Sequence, residues 1–398
     1  MRVLQINCVY GYASTGVITR DIQQCSLDGG IDAYVAFQKG HGVGNENTYE
    51  IGSLFDHKIH AILSRIAGKQ AYFSHCATHE LLHYMNQLHP DIVHLHNLHN
   101  NYINLNMLLR YLAEKDIKTI ITLHDCWYFT GGCFHYTSVG CERWKNGCGH
   151  CPKQMQDTPA LFYDASASIL RDRIKLLSAI KNLTIVGVSK WVAEECRRSM
   201  LGVKNITYIY NGFDLSVFKP SPSDMRERFG LEGKRIILGP AGKWLLPINK
   251  LTLNYFLHQM TNDEVLFLFG CSGKEVITSD KIYLYGYTSS REELAQLYSM
   301  ADVMINVSRE DTLSSLNLEC QACGTPVITY DATGSKETVD EICSWSVKTG
   351  DYAALWRAYL QMKDMNIEQL SRQCVTRITS DFERDTNYRK YIALYNKL

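Results

Sequence analysis

The chain reads as an α/β protein of two doubly wound, Rossmann-like domains facing a ligand cleft, with a small cysteine-rich insertion. Three observations carry this expectation. Short β-rich runs alternate with helical patterns along the whole length. At 398 residues the chain exceeds one typical core. Finally, the turn-forming segment Asn211-Gly212-Phe213-Asp214, followed by Phe218-Lys219-Pro220, divides the alternation in two.

The first series places strands at Val3–Asn7, Ala33–Phe37, Ile92–His96, Thr119–Leu123 and Thr184–Val188. Helical spacing falls between them, at Gly16–Leu27, Ala77–Leu88 and Leu105–Lys115. The second series has strands at Arg235–Gly239, Val265–Phe269, Ile282–Tyr285, Val303–Val307 and Val327–Tyr330. Its helices lie near Lys250–Met260, Arg291–Met300 and Leu316–Ala322. Residues 1–210 and 211–380 are the expected domains, with 381–398 a terminal helix carrying Tyr388, Tyr391, Ile392 and Tyr395 at helical spacing. Sheets of this kind bind ligands at the carboxyl ends of their strands.

Composition excludes several classes. Lys plus Arg and Asp plus Glu both total 41, so no global field attracts nucleic acid or an anionic surface. The opening Met-Arg-Val-Leu-Gln-Ile-Asn reads as a first strand rather than a signal peptide, and no apolar run approaches a bilayer's thickness. A cytoplasmic protein is expected. Fourteen cysteines are many for that compartment. Cys8, Cys196 and Cys271 sit singly in apolar surroundings and read as small buried hydrophobes.

The strongest chemical signal is Asp311-Thr312-Leu313-Ser314-Ser315-Leu316-Asn317-Leu318-Glu319, followed by Gly324-Thr325-Pro326. Carboxylates accept hydrogen bonds from ribose or sugar hydroxyls, and free N–H groups at a helix start suit a diphosphate. Leu316, Cys320 and Cys323 form an apolar stripe that would pack the same helix. Gly239-Pro240-Ala241-Gly242-Lys243 follows a strand and precedes Lys250, placing two cations where a departing diphosphate could be stabilised. Ser14-Thr15-Gly16 lies between the first strand and a helix, where small residues admit a ligand and a hydroxyl can cap. His124 ends a strand beside Asp125. His96 and Asn97 end another and read as cleft lining, while His94 and His99 read as structural.

Asp311 with Glu319 resembles the E-x7-E signature of retaining glycosyltransferases of family 4, with Asp in the first acidic position. Asn211-Gly212-Phe213-Asp214 with Phe218-Lys219-Pro220 is similar to that family's interdomain motif. The resemblance implies a GT-B fold, a nucleoside diphosphate sugar donor (UDP- or GDP-linked), and a lipid-linked glycan acceptor in bacterial capsule, exopolysaccharide or O-antigen synthesis. It implies retention and no catalytic metal. His124, Asp311 and Lys243 take the catalytic positions. Glu319, Lys250, Gly242, Thr288, Thr312, Leu313, Ser314 and Ser315 hold the donor, and Ser14, Thr15, Gly16, His96 and Asn97 face the acceptor. The family carries Arg where this chain has Lys243, and a shorter spacing to its second cation. Two alternatives share the architecture: a UDP-sugar 2-epimerase, and a non-catalytic partner subunit.

Residues 126–152 match a family subset with the pattern LHDCWxFTGxC followed by further cysteines. Cys133, Cys141, Cys148 and Cys151 could form a tetrahedral zinc site, disulfides or free thiols, and the surrounding glycines permit tight turns. Trp127, Tyr128 and Phe129 would stack on a sugar or pack this segment. Finally, His57 to Lys69 is a mildly basic amphipathic stretch; a solvated face is the plain reading, contact with a membrane surface the sharper one.

Overall fold

The computed structural model describes residues 1–40, 47–157, 159–275 and 279–398. They form two compact units. Met1–Asn211 with Asp385–Leu398 is one, and Gly212–Arg384 the other.

The first unit holds a parallel sheet of β1 (Arg2–Tyr10), β2 (Asp32–Gly40), β3 (Thr48–Glu50), β4 (Ile92–Leu95), β5 (Lys118–Leu123), β6 (Leu183–Gly187) and β7 (Asn205–Tyr208). Their order is β3-β2-β1-β4-β5-β6-β7, and every pairing is parallel. β4 and β6 are buried along their whole length, because helices cover both faces of such a sheet. The terminal helix Arg384–Lys397 belongs to this unit from Asp385 onward. Tyr388, Tyr391 and Tyr395 pack with Val3, Ile18, Ile92 and Val186.

The second unit repeats the plan with β8 (Arg235–Pro240), β9 (Glu264–Phe269), β10 (Ile282–Leu284), β11 (Val303–Asn306), β12 (Val327–Tyr330) and β13 (Trp345–Val347). The order is β10-β9-β8-β11-β12-β13, again parallel throughout. Trp244, Phe256, Trp356 and Tyr359 centre its core. At its boundary the chain's entry and return pair by backbone: Phe213 N–H donates to Phe382 O (2.8 Å) and Arg384 N–H to Phe213 O (3.1 Å). Gly212 is required there, since a Cβ would stand 2.4 Å from Arg384 Cα.

In each sheet the strand order reverses once, between β1 and β4 and between β8 and β11. Crevices open beyond the carboxyl ends at such reversals. Ser14, Thr15, Gly16, His96 and Asn97 follow β1 and β4 at the first, and Gly242, Lys243 and the Asp311 loop follow β8 and β11 at the second, while His124 follows β5 and Thr288 follows β10.

Candidate functional site

In the first unit Asn7, which no sequence motif marks, organises the reversal. Its buried carboxamide donates to Val9 O (2.9 Å), Thr15 O (3.1 Å) and Thr19 Oγ1 (2.8 Å). Its oxygen accepts from the Cys8 and Asn97 amides. One side chain thus joins the end of β1, the start of the helix Ala13–Asp28 and the exit of β4. Gly16 is buried against that turn; a Cβ would come within 3.2 Å of Val9 and Tyr10. Ser14 and Thr15 do not cap the helix. The cap position is Tyr12, whose side chain makes no cap bond, and both residues lie within the first turn.

Beyond β4 and β5 runs a relay of hydrogen bonds. Gln5 Nε2 donates to Thr19 O (3.2 Å), which turns Gln5 Oε1 toward His96 Nε2 at 3.0 Å. His96 Nε2 therefore carries the proton, and its Nδ1 accepts from His124 Nε2 at 3.0 Å. Burial pushes His96 well below the ordinary imidazole value and His124 down to about 4, with His94 and the neighbouring histidines adding to the effect on His96. Asp125 pulls His124 the other way and loses to burial. Both rings are neutral near pH 7, and His124 presents Nδ1 as an acceptor.

Asp125 itself is bound by His99 Nε2 (3.0 Å) and the Trp127 amide (2.8 Å). Burial works to raise its carboxyl, but these partners hold it below the usual range. His94 is structural: its two nitrogens meet Tyr395 OH and Thr122 Oγ1, both at 2.7 Å, and burial lowers it to about 3. Trp127, Tyr128 and Phe129 are buried, so they pack the segment rather than offer a stacking face. The buried Arg173, also unanticipated, lies 3.6 Å over the Trp127 ring and donates to the Trp127 and Thr130 carbonyls.

In the second unit Lys243 sits in the short helix Ala241–Trp244 just after β8. Gly239 lets Trp244 fold back to donate to Ile305 O (2.8 Å); a Cβ at 239 would stand 2.2 Å from the indole nitrogen. Gly242 is exposed, as is Lys250 at the start of the next helix, whereas Lys243 is half-buried. The piece missing from the sequence reading is Asn249. Its Nδ2 donates to Lys243 O and to Val307 O, both at 3.0 Å, and its Oδ1 accepts from Arg309 Nε at 3.0 Å. One buried amide therefore clamps the Lys243 turn to the loop beyond β11.

That loop carries the acidic motif. Asp311 Oδ1 accepts the Leu313 amide (3.2 Å), and the Asp311 backbone is held by Thr333 and Gly334. Thr312, Leu313 and Ser314 are buried, and the Thr312 hydroxyl has no hydrogen-bond partner among the described residues. Ser314 is the cap position of the helix Ser315–Ala322, yet its hydroxyl accepts from Asn306 instead of the helix amides. The helix start is left without a side-chain cap, as an anion site requires. Glu319 lies one turn further. Burial raises its carboxyl to about 7, against the opposing pull of the Tyr298 hydroxyl at 3.2 Å and of Arg291. Thr288 is half-buried in the turn after β10, where Gly286 O accepts from Gly270 N–H.

The cysteine segment has a partial geometry. Cys133, Cys141, Cys148 and Cys151 all line one cavity, and Cys133 Sγ is 4.0 Å from Cys151 Sγ. The Cys133 contact draws the Cys151 thiol down, while the same contact and burial raise Cys133. Among the described residues no three His, Cys, Asp or Glu side chains are gathered closely enough to hold a metal ion.

Residues 44–217 match the family model described as Glycosyltransferase Family 4, and residues 269–377 that of Glycosyl transferases group 1. WcaC of Escherichia coli K12, provisionally named a colanic acid biosynthesis glycosyl transferase, is 22% identical over 361 residues, 86% of each chain. Among solved structures, sucrose-phosphate synthase from Thermosynechococcus elongatus superposes with a TM-score of 0.70 at 16% identity, over 100% of this chain and 98% of its own. HepE from Anabaena, solved with UDP, gives 0.69 at 13% identity over 100% of both chains. Its complex with UDP-glucose gives 0.67 at 14% identity, again over 100% of both.

Proposed function

We propose that this chain, a glycosyltransferase of the family 4, GT-B type, moves one sugar with retention from a nucleoside diphosphate donor to a glycan acceptor of a bacterial surface polysaccharide. The observation that carries the site assignment is the Asn249 clamp, which ties Lys243 to the loop bearing Asp311 and the uncapped helix start. A cation and free helix amides beside one another suit a diphosphate, and Glu319 a turn away suits the ribose hydroxyls. The UDP and UDP-glucose named for HepE, and the polysaccharide named for WcaC, favour the same reading.

In the proposed reaction the donor's anomeric C–O bond breaks toward the diphosphate. The acceptor oxygen forms its bond on the same face, and its proton passes to the leaving phosphate oxygen. Lys243 and the amides at Ser315 and beyond neutralise the charge that develops there, the step where fixed dipoles act most strongly. Asp311 holds donor-sugar hydroxyls, with Thr312, Leu313 and Ser314 shaping the loop; Gly242 and Lys250 flank the phosphates, and Thr288 the base. In the first unit His124 Nδ1 accepts from a sugar hydroxyl, and Ser14, Thr15, Gly16 and Asn97 frame the acceptor; His96, expected to line the cleft, is buried with both ring nitrogens engaged and acts only by orienting His124. The four cysteines share one cavity and carry the chemistry of a structural zinc site, which would require their thiolates to stand closer together than they do here.

A panel of UDP- and GDP-sugars, followed for binding and slow hydrolysis, tests the donor assignment. Proton NMR of the anomeric centre in the product tests retention: an α-linked donor should give an α-linked product. An inverted product, or a changed sugar released with no acceptor present, would refute this function.

A further inference from the structure

The helix Leu54–Ala67 is built inside out. It is well formed, opening on a capping box in which Asp56 accepts from the Ser53 amide (2.9 Å) and Ser53 Oγ from the Asp56 amide (3.3 Å), and closing on Gly68 at φ 65°. Yet its buried stripe is polar, consisting of His57, His60 and Ser64. His57 Nε2 meets Ile51 O at 3.0 Å, and His60 Nδ1 meets Ser74 Oγ at 2.7 Å. Desolvation takes the His60 imidazole down to about 4, so it is buried neutral. The apolar residues point the other way: Leu54, Phe55, Ile59, Ile62, Leu63 and Ile66 are 66, 71, 40, 59, 38 and 46% exposed.

An ordinary surface helix hides its apolar stripe, and solvent contact of this size marks an interaction surface. The patch continues onto a neighbouring loop. Leu161 N–H donates to Arg65 O (2.9 Å), and Leu161, Phe162 and Tyr163 are 57, 68 and 66% exposed. At about 100° per residue, Phe55, Ile59, Ile62 and Ile66 share the centre of the exposed arc, and Lys58 and Arg65 lie together along one border. The helix's one acid, Asp56, is engaged in the capping box.

We propose that this face docks onto an anionic lipid surface, the helix lying in the interface with its apolar centre among the acyl chains and Lys58 and Arg65 on the headgroups. The basic border selects that occupant over an uncharged partner or a second copy of the chain. Among the described residues no helix is long and apolar enough to cross a membrane, so attachment would be peripheral. The inference stands on the exposed face alone and is independent of the assigned reaction.

The test is co-sedimentation of the full chain with vesicles of equal phosphatidylglycerol and phosphatidylcholine, and with phosphatidylcholine alone. The wild type should pellet with the anionic vesicles, and less so as salt rises. A Phe55→Ser, Ile62→Ser, Ile66→Ser variant should bind about tenfold more weakly or worse, with its melting profile unchanged. A Lys58→Glu, Arg65→Glu variant should weaken anionic-vesicle binding at low salt by a similar factor. Wild type left in the supernatant, or variants that pellet equally, would overturn the proposal. So would a wild-type dimer that the serine variant turns to monomer while neither form binds vesicles.

Discussion

His124 Nε2 lies 3.0 Å from His96 Nδ1, and that contact decides which nitrogen of His124 can meet a ligand. Since His96 gives its own proton to Gln5, His124 must donate to His96, which leaves Nδ1 to accept. His96 is thus a positioning residue. His96→Asn should cut kcat by roughly a hundredfold, as loss of orientation does, while the KM for donor changes little. Steady-state kinetics with varied donor separate this from general destabilisation, which would lower active enzyme without a selective loss of turnover at matched folded concentration.

Asn249 holds two loops of the second unit with three hydrogen bonds from one buried amide. Asn249→Ala leaves two carbonyls and a guanidinium short of a partner, a loss on the order of 1–3 kcal/mol. Thermal melting should show the destabilisation. Nucleoside diphosphate titration should show weakened binding even at temperatures where the variant is fully folded.

Glu319 supplies a pH test. Its carboxyl is raised to about 7, chiefly by burial, from an ordinary 4.5. A group whose folded value lies above its unfolded value favours folding while protonated and opposes it once ionised. Unliganded protein should therefore lose stability as pH rises from about 4.5 through 7, by on the order of 3 kcal/mol. Glu319→Gln should remove that dependence, gaining most at pH 8 and almost nothing near pH 4.5. Denaturant melts at the two pH values check the sign. Nucleotide binding should behave oppositely, strengthening as the carboxylate forms and can accept from both ribose hydroxyls.

The four cysteines make a metal test. Metal analysis of fully reduced, purified protein should find close to one zinc per chain, and Cys148→Ser should lower both zinc content and the melting temperature. Stoichiometry near zero would remove the metal and leave four thiols around a cavity.

The parallel core was legible because buried strands such as Glu264–Phe269 and Val327–Tyr330 read as near-continuous apolar runs. β3, β7 and β13 were not. They are three or four residues long and partly exposed, so neither alternation nor a run marks them. Asp311, Glu319, His124 and Lys243 showed themselves as chemical residue types at strand ends. Asn7 did not, being one polar residue within a largely buried strand, nor did Asn249, since an Asn before a helix reads as a cap whereas this one spends its side chain on Lys243, Val307 and Arg309. The Leu54–Ala67 helix was visible as amphipathic. Which face it turns inward is a tertiary fact, set by the hydrogen bonds of its histidines to Ile51 O and Ser74 Oγ.

The most direct test of the whole account is acceptor-dependent nucleoside diphosphate release by an Asp311→Ala, Glu319→Ala double variant, compared with wild type at equal folded concentration. Transfer carried by the loop beyond β11 predicts a loss of at least about a hundredfold with the fold retained. Full release by the variant would contradict it and place the chemistry elsewhere in the chain.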